Sequence, residues 1–514
     1  MVEVRGAHAV VAAGHPLACA AAVEAMAAGG GTVDAAIAAA FVLAVACPHA
    51  ATLGGDVFLL IHDAASGETA GVNGTGTAPA AIAPALFPDG IPRSGPLVST
   101  VPGLVAGLEA AHRRFGRLPF GRLLAPAIGH ARQGFAVGAY LAANVARCAE
   151  LLAGDPAAAA LFLPGGSPLA EGDRLAQPAL AASLERIAGD GAAALYGGDL
   201  GAALAGDLAA VGAPLSAGDL AGHRTLWQAP LAAPFHGRSV LTMPPNSYGL
   251  TLLLQLLLLS RDNIAAVDPD GPAFALRGLA ARRAADRAAA AAVADPAEAE
   301  ALARSVLADA VAGRLADGPE PAEAEGGTTN VVVLDAAGNA VSLVMSVSAP
   351  FGACVVSPRT GILMNNRLRG FALDPASANR LAPGRRPAHT LTPALVLRDG
   401  RPEWAIGTPG TAGQTCVLAQ LLARLLACGQ EPSAAFAAPR WSVDLEGRPI
   451  VEKTMPEAVR AAIADSEPDV RPMPVGWQTF GSVKACRRDA DGLAAFADRR
   501  RSADVAALDR GGPA

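Results

Sequence analysis

The stretch that decides the fold of this chain is Thr328-Thr-Asn-Val-Val-Val-Leu-Asp335, which directly follows Gly326-Gly327. Its run of valines is typical of a buried β-strand. The turn residues Ala336-Ala-Gly-Asn339 come next, and residues 340–346 form a second run of strand character. The pattern predicts strand, turn and strand, beginning at Thr328. By itself, a Thr pair after a Gly-Gly loop is also an ordinary way to begin a strand.

The segment that precedes this hairpin, residues 317–327, is polar and rich in Gly, Pro and Glu. It has no hydrophobic periodicity, and this composition predicts an exposed linker. The linker divides the chain into residues 1–327 and residues 328–514.

A second hairpin is predicted downstream, from Ala394–Arg398 and residues 402–406 joined by the turn Asp399-Gly400. We expect both hairpins to belong to a sheet. Residues 407–413 read Gly-Thr-Pro-Gly-Thr-Ala-Gly, and the apolar residues 414–428 after them predict a helix that Gly429 ends.

The first half of the chain is predicted to be mainly helical, with few strands. Residues 7–47 are rich in strong helix formers, and two apolar runs, residues 33–47 and 250–259, are too short to cross a membrane and are expected as buried helices. The other predicted elements are a hairpin of residues 57–62 and 68–72, short helices over most of 100–250, a strand near Arg238–Thr242, and one or two helices in 271–318.

Composition narrows the class of protein. The chain has 514 residues, of which 52% are hydrophobic and 17% charged, and this excludes a disordered or collagen-like chain. The net charge is −6 and no basic stripe is present, so we expect small molecules rather than nucleic acid as partners.

The seven scattered cysteines indicate neither a disulfide framework nor a zinc site. No secretory signal is recognisable at the N-terminus, which predicts a cytoplasmic protein.

Several motifs resemble, in the same order, those of the γ-glutamyltransferase (γ-glutamyltranspeptidase) family of N-terminal-nucleophile hydrolases. They extend over nearly the whole chain, and the second half is the more similar. The motifs are His15-Pro-Leu-Ala, Gly29-Gly-Gly-Thr-Val-Asp34, Leu53-Gly-Gly-Asp56, Val101-Pro-Gly103, Met243-Pro-Pro-Asn-Ser-Tyr-Gly249, Thr328-Thr, Thr360-Gly-Ile-Leu-Met-Asn-Asn366, Gly407-Thr-Pro-Gly410 and Ala438-Pro-Arg-Trp441.

This resemblance implies an α+β fold, the four-layer αββα sandwich, in which two antiparallel sheets pack together with helices outside. Both segments of the chain would share that one domain. The active enzyme would be a heterodimer of its own two processed chains, which could pair further. The resemblance implies no metal and no organic cofactor, and we expect no membrane partner.

The resemblance also implies the catalytic residues. The chain would cut itself between Gly327 and Thr328, so that Thr328 supplies both a hydroxyl nucleophile and a free α-amino group as its base. Ser346 occupies the position of a hydroxyl residue that hydrogen-bonds the nucleophile. The backbone N–H groups of Gly410 and Thr411 occupy the positions of the oxyanion hole.

The substrate-binding positions depart from the family pattern. Members that act on γ-glutamyl compounds hold the substrate with an Arg, acidic and amide groups and a Ser pair. The corresponding positions here are occupied by Thr75, Ser348, Arg367, Arg369, Gly370, His389 and Thr390. Because basic residues replace an acidic pair, we expect a carboxylate-bearing substrate that Arg367 or Arg369 contacts together with His389. Solvated arginines and a packing role for His389 are the alternative interpretation.

The predicted function is hydrolysis or transfer of an acyl group, γ-glutamyl or related, from a small amide through a Thr328 acyl-enzyme. The alternative is a different amidohydrolase or acyl-cleaving enzyme, with an oxalyl-type or acylase-like substrate, in catabolism or secondary metabolism. An unprocessed binding scaffold is a third hypothesis. Asn330, where relatives often have His, is the nearby change that could weaken processing.

Overall fold

The structure is a computed structural model that describes residues 1–316, 327–444, 447–467 and 469–509. Residues 317–326 of the predicted linker lie outside this part of the chain, and Gly327 begins a strand. The strands are β1 Val2–Gly6, β2 Ala9–Ala13, β3 Asp56–Asp63, β4 Glu68–Gly74, β5 Phe135–Ala136, β6 Arg174–Leu175, β7 Leu226–Gln228, β8 Leu231–Phe235, β9 Arg238–Thr242, β10 Gly327–Asp335, β11 Ala340–Ser348, β12 Ala394–Arg398, β13 Arg401–Gly407, β14 Trp441–Val443, β15 Pro449–Glu452, β16 Arg471–Met473, β17 Lys484–Asp489, β18 Gly492–Ala497 and β19 Asp504–Leu508.

The α-helices are concentrated in the first segment. They are α1 Pro16–Ala27, α2 Thr32–Ala46, α3 Leu104–Phe115, α4 Phe120–Gln133, α5 Ala139–Arg147, α6 Ala149–Ala153, α7 Pro156–Phe162, α8 Pro178–Asp190, α9 Ala193–Tyr196, α10 Asp199–Ala210, α11 Ala217–Ala221, α12 Gly249–Arg261, α13 Pro272–Ala289, α14 Pro296–Val311, α15 Gly413–Leu422, α16 Pro432–Ala437 and α17 Glu457–Ser466.

Two seven-stranded antiparallel sheets form the centre of the molecule. One has the order β1-β18-β17-β13-β12-β9-β8 and the other β19-β2-β10-β11-β3-β4-β7. Each sheet combines strands from before and after Thr328, so the two segments share one core. This is the predicted α+β architecture of two antiparallel sheets with helices outside.

The side chains of β10 show why the strand is buried on both faces. Val331 and Val333 face the helical layer that contains α2, whereas Val332 and Leu334 lie in the apolar core between the sheets. This alternation follows from the two-residue period of a strand. All fifteen residues of α2 are buried, because the helix lies between this sheet and the helices α1 and α4. On the other sheet, α12, α13 and α15 form the outer layer.

Most of the predicted elements are confirmed. Both hairpins are present, although they lie in different sheets, and 271–318 contains two helices, α13 and α14. The prediction that residues 7–47 are helical was wrong at its start. Residues 9–13 form β2, because Val10 and Val11 pair with β10 and β19 in the middle of a sheet.

The predicted helix of residues 414–428 is α15 followed by a π-helical turn at Ala423–Ala427. Gly429 comes after this turn with a positive φ of 66°, as expected of a residue that ends a helix. The two apolar runs lie in α2 and α12, as expected. Within the described residues, no helix combines the length and apolar character that a membrane span needs.

Candidate active site

Three polar residues stand side by side at the same end of one sheet. In the strand register, Thr328 of β10 lies opposite Ser346 of β11, and Ser346 lies opposite Asp56 of β3. All three are almost completely buried. Because opposite residues of an antiparallel pair point to the same face, their side chains form a polar row on one face of the sheet.

Ser346 is the centre of the hydrogen bonds in this row. Its hydroxyl oxygen accepts from the Ser348 N–H at 2.8 Å and from Nη2 of Arg367 at 3.1 Å. The Ser346 hydroxyl itself donates to the carbonyl oxygen of Gly327. Oγ1 of Thr328 lies 3.4 Å from Oγ of Ser346. One hydroxyl therefore contacts both sides of the predicted cleavage site.

Arg367 enters this row from the short 3₁₀ helix Arg367–Gly370 and is not solvated. Its side chain is 1% exposed, and its Nε lies 3.7 Å from Oδ2 of Asp56. Burial lowers the pKa of Arg367 to about 10, although the carboxylate of Asp56 acts in the opposite direction. The guanidinium therefore stays charged at neutral pH. Among the described residues, its Nε and Nη1 have no hydrogen-bond partner.

His389 contacts the same carboxylate. Its Nδ1 accepts the N–H of Leu391 at 3.3 Å, so the ring proton is on Nε2, which lies 3.3 Å from Oδ2 of Asp56. Burial, with repulsion from Arg367, lowers the pKa of His389 to about 4 despite the nearby Asp56. His389 is thus a neutral donor to Asp56 at neutral pH, and both of its ring nitrogens are engaged within the protein.

The predicted oxyanion-hole residues follow the end of β13. This strand ends at Gly407, where an added Cβ would lie 2.9 Å from Nδ2 of Asn330, two residues along β10 from Thr328. Gly410 and Thr411 come immediately before α15 and both have positive φ, 148° and 56°. Their N–H groups donate to no other residue of the described chain, so they are available to an oxyanion.

The remaining predicted substrate-binding residues are divided between two environments. Ser348 is 3% exposed and pairs with Gly327, so it lies beside the row. Thr75 is fully buried and donates to Oδ1 of Asn73 at 2.6 Å, within a network that includes Asn246. This network occupies the hydroxyl of Thr75. The assignments of both residues to substrate binding stay predictions.

Of the other three positions, Arg369 and Gly370 belong to the 3₁₀ helix that Arg367 begins, and Thr390 lies in a loop. The carbonyl of Gly370 accepts from Nδ2 of Asn379 at 2.6 Å, and an added Cβ at Gly370 would lie 2.8 Å from the carbonyl oxygen of Ala388. Thr390 is 1% exposed, with no hydrogen-bond partner for its hydroxyl in the described structure. Arg369 is half-buried. Their roles also stay predictions.

Asp56 is the residue of this site that the sequence did not indicate. It belongs to the quoted motif Leu53-Gly-Gly-Asp56, but its contacts come from residues far along the chain, Arg367 and His389. The N–H of Gly76 donates to its other oxygen at 3.0 Å. The available signal was a carboxylate at the start of an otherwise apolar strand, since a fully buried acid requires partners.

The arrangement has the components of acyl transfer. The hydroxyls of Thr328 and Ser346 lie beside the buried guanidinium of Arg367 at the end of one sheet. The unoccupied backbone donors follow β13, whose last residue, Gly407, contacts Asn330 of β10. Asp56 and Arg367 form a buried pair of charges. The low local dielectric there strengthens the effect of these charges on neighbouring groups.

Comparison with known proteins shows the family of this chain. The family model for gamma-glutamyltranspeptidase matches residues 18–508. Acylase ACY 1 proenzyme from Pseudomonas sp. (strain SE83) is 35% identical over 486 residues, covering 89% of this chain and 86% of the relative. Oxamate amidohydrolase proenzyme from Klebsiella pneumoniae is 32% identical over 528 residues, with 97% of this chain and 98% of the relative covered.

The fold is also that of a solved structure. The crystal structure of cephalosporin acylase from Bacillus halodurans superposes with a TM-score of 0.89, at 28% identity, over 99% of this chain and 97% of that one. The chain therefore belongs to the γ-glutamyltranspeptidase family of enzymes, as a divergent member with the four-layer N-terminal-nucleophile hydrolase fold.

Proposed function

We propose that the protein is an autoprocessing amidohydrolase whose nucleophile is Thr328 and whose substrate is a small amide with a carboxylate in its acyl group. Self-cleavage before Thr328 separates residues 1–327 from residues 328–514, which remain together as a heterodimer. Several relatives are named proenzymes, and those in the comparison are an acylase and an oxamate amidohydrolase, names that fit this reaction class.

The catalytic steps use groups of the polar row. After processing, the α-amino group of Thr328 takes the proton from its own hydroxyl as Oγ1 attacks the substrate carbonyl. The N–H groups of Gly410 and Thr411 stabilise the oxyanion, and the amine leaves with the transferred proton. Water then hydrolyses the ester on Thr328 and releases the carboxylic acid.

The observation that supports the substrate class is the environment of Arg367. Its guanidinium is 1% exposed, stays charged, and has two nitrogens without a hydrogen-bond partner among the described residues. Nη2 donates to Ser346, whose oxygen is 3.4 Å from that of Thr328. A carboxylate a few atoms from the scissile carbonyl would therefore reach the guanidinium, to which carboxylates bind in a bidentate manner.

A substrate panel tests this proposal. We expect the processed enzyme to release ammonia from oxamate, or p-nitroaniline from glutaryl-p-nitroanilide. For glutaryl-p-nitroanilide, kcat/KM should be at least 10-fold above that for its uncharged methyl ester. The ester has the same chain length, so the comparison isolates the charge. Equal rates for the acid and the ester, or a clear preference for γ-glutamyl-p-nitroanilide, would overturn the substrate assignment.

A further inference from the structure

We propose that Arg367, held by Asp56, drives the self-cleavage of the chain by holding the Ser346 hydroxyl as a proton donor on the scissile carbonyl of Gly327. Arg367 is then a positioning residue for maturation, in addition to any role toward substrate. The inference rests on the proposed function only for the identity of the nucleophile, Thr328.

The first observation is the direction of the hydrogen bonds at Ser346. A hydroxyl has one proton to donate and two lone pairs to accept. The two nearest donors, the Ser348 N–H at 2.8 Å and Arg367 Nη2 at 3.1 Å, occupy the two lone pairs. The Thr328 hydroxyl is a third and more distant donor, at 3.4 Å. The proton of Ser346 is left for an acceptor, and that acceptor is the carbonyl oxygen of Gly327.

This arrangement gives Ser346 the role of an acid rather than a base. Two donors, one of them a cation, withdraw electron density from its oxygen and strengthen its O–H as a donor. The contact between Ser346 and Thr328 Oγ1 is longer, at 3.4 Å. Ser346 is therefore placed to stabilise negative charge on the Gly327 oxygen, and it is poorly suited to accept the Thr328 proton.

The second observation is how Arg367 is fixed. Its Nε lies 3.7 Å from Asp56 Oδ2, whose other contact, His389 Nε2–H, is neutral and is held by the Leu391 N–H. Asp56 lies opposite Ser346 in the sheet. The Asp56 carboxylate thus holds the Arg367 guanidinium beside the Ser346 hydroxyl, to which the guanidinium donates.

The chemical step balances within the chain and one water molecule. Thr328 Oγ1 forms a bond to the Gly327 carbonyl carbon, and the oxyanion forms on the oxygen to which Ser346 donates. The carbon–nitrogen bond to Thr328 then breaks, the nitrogen takes the hydroxyl proton, and an ester results. Water cleaves that ester, which gives the Gly327 carboxylate and restores the Thr328 hydroxyl.

The test follows cleavage of purified, uncleaved protein by intact mass over time. We expect Arg367→Met to slow cleavage by 10- to 100-fold. Arg367→Lys keeps a positive charge and should cleave at least 5-fold faster than Arg367→Met. Arg424→Met is the matched control. Arg424 is also a buried guanidinium paired with a carboxylate, that of Asp270 at 2.7 Å, and it lies in the helical layer, away from the polar row.

A double-mutant comparison separates positioning from a general structural effect. In a Ser346→Ala background, Arg367→Met should cause no further slowing, because the hydroxyl through which it acts is gone. Equal slowing by Arg367→Met with and without Ser346, or cleavage of Arg367→Met at the wild-type rate, would overturn the inference. If wild-type protein never cleaves before Thr328, the proposed function itself fails, which is a different outcome.

Discussion

Asp56 of β3 lies directly opposite Ser346 of β11. The Asp56 carboxylate lies 3.7 Å from Nε of Arg367, and Nη2 of the same arginine contacts the Ser346 hydroxyl. The Asp56 carboxylate is therefore connected to the Ser346 hydroxyl through one guanidinium. Arg367 places a positive charge in a buried site, and Asp56 compensates that charge within the same row.

The first prediction concerns this compensation. Asp56→Asn leaves the Arg367 guanidinium buried without a counter-charge, and breaking such a pair costs about 3–5 kcal/mol. We expect the free energy of unfolding to fall by about that amount in urea titrations. The measurement uses a Thr328→Ala background, so that every variant is compared as one uncleaved chain.

The matched control is the double substitution Asp56→Asn with Arg367→Met. The double variant removes both charges, so its free energy of unfolding should fall by less than the sum of the decreases caused by the two single substitutions. Strictly additive losses would show that Asp56 and Arg367 do not interact.

A second prediction concerns acid sensitivity. Burial lowers the pKa values of His49, His223 and His389 to about 3, 4 and 4. Between pH 6.5 and pH 4 the unfolded chain binds more protons than the folded one, so stability is fully present above pH 6.5 and is lost as the pH falls. Each histidine adds a slope of about 1.4 kcal/mol per pH unit in that window.

Unfolding measured at half-unit pH steps checks this slope. His223 stacks on Tyr196, with ring centroids 5.0 Å apart, and neither ring nitrogen has a hydrogen-bond partner in the described structure. His223→Phe therefore preserves the stacking while removing one titrating group, and we expect a shallower slope. A stability profile that stays flat from pH 6.5 to pH 5 would contradict the prediction.

The third prediction concerns Lys484, which is 1% exposed and donates to the carbonyl and hydroxyl oxygens of Ser482. Burial, with repulsion from Arg501, lowers the pKa of Lys484 to about 7. The unfolded chain binds the extra proton between pH 7 and about 10.5, so stability rises with pH across that range. Lys484→Met should stabilise the protein by roughly 2–4 kcal/mol at pH 6.

That gain should shrink as the pH is raised towards 10, because the wild-type lysine becomes neutral. Lys453 is exposed, so Lys453→Met is the control and should change stability little at any pH. A Lys484→Met variant that is less stable than wild type at pH 6 would refute this account.

The fourth prediction concerns Thr411, a β-branched residue with φ of 56°. Thr411→Gly removes the conformational strain and should raise the free energy of unfolding by about 0.5–1 kcal/mol, after allowance for the extra chain entropy of Gly. Because the proposed donor to the substrate oxyanion is the backbone N–H, hydrolysis of the substrate amide by the processed enzyme should persist in Thr411→Gly and in Thr411→Val. A loss above 10-fold in both variants would indicate that the hydroxyl is required.

Much of the fold was predictable where local pattern and final structure agree. The valines of β10 and the Asp399-Gly400 turn indicate their hairpins without tertiary information. Residues 9–13 were predicted as helix because alanines surround the two valines, and only pairing with β10 and β19 makes them a strand. The π-helical turn at Ala423–Ala427 likewise has no signal that distinguishes it from a continuing helix.

The site was predictable in part for the same reason. Thr328, Ser346 and Arg367 follow from motifs and lie together, as their contacts show. Asp56 was missed, because its role arises from strand register with Ser346 and from loops more than 300 residues away. The two-donor environment of Ser346 likewise exists only in the folded chain.

The most direct test of the central claim is the intact mass of purified wild-type protein beside Thr328→Ala. The account predicts that wild type separates into residues 1–327 and 328–514, with a new N-terminus at Thr328, while the variant stays whole. If both proteins remain a single chain of 514 residues after prolonged incubation, or if both split at the same bond, Thr328 is not the nucleophile.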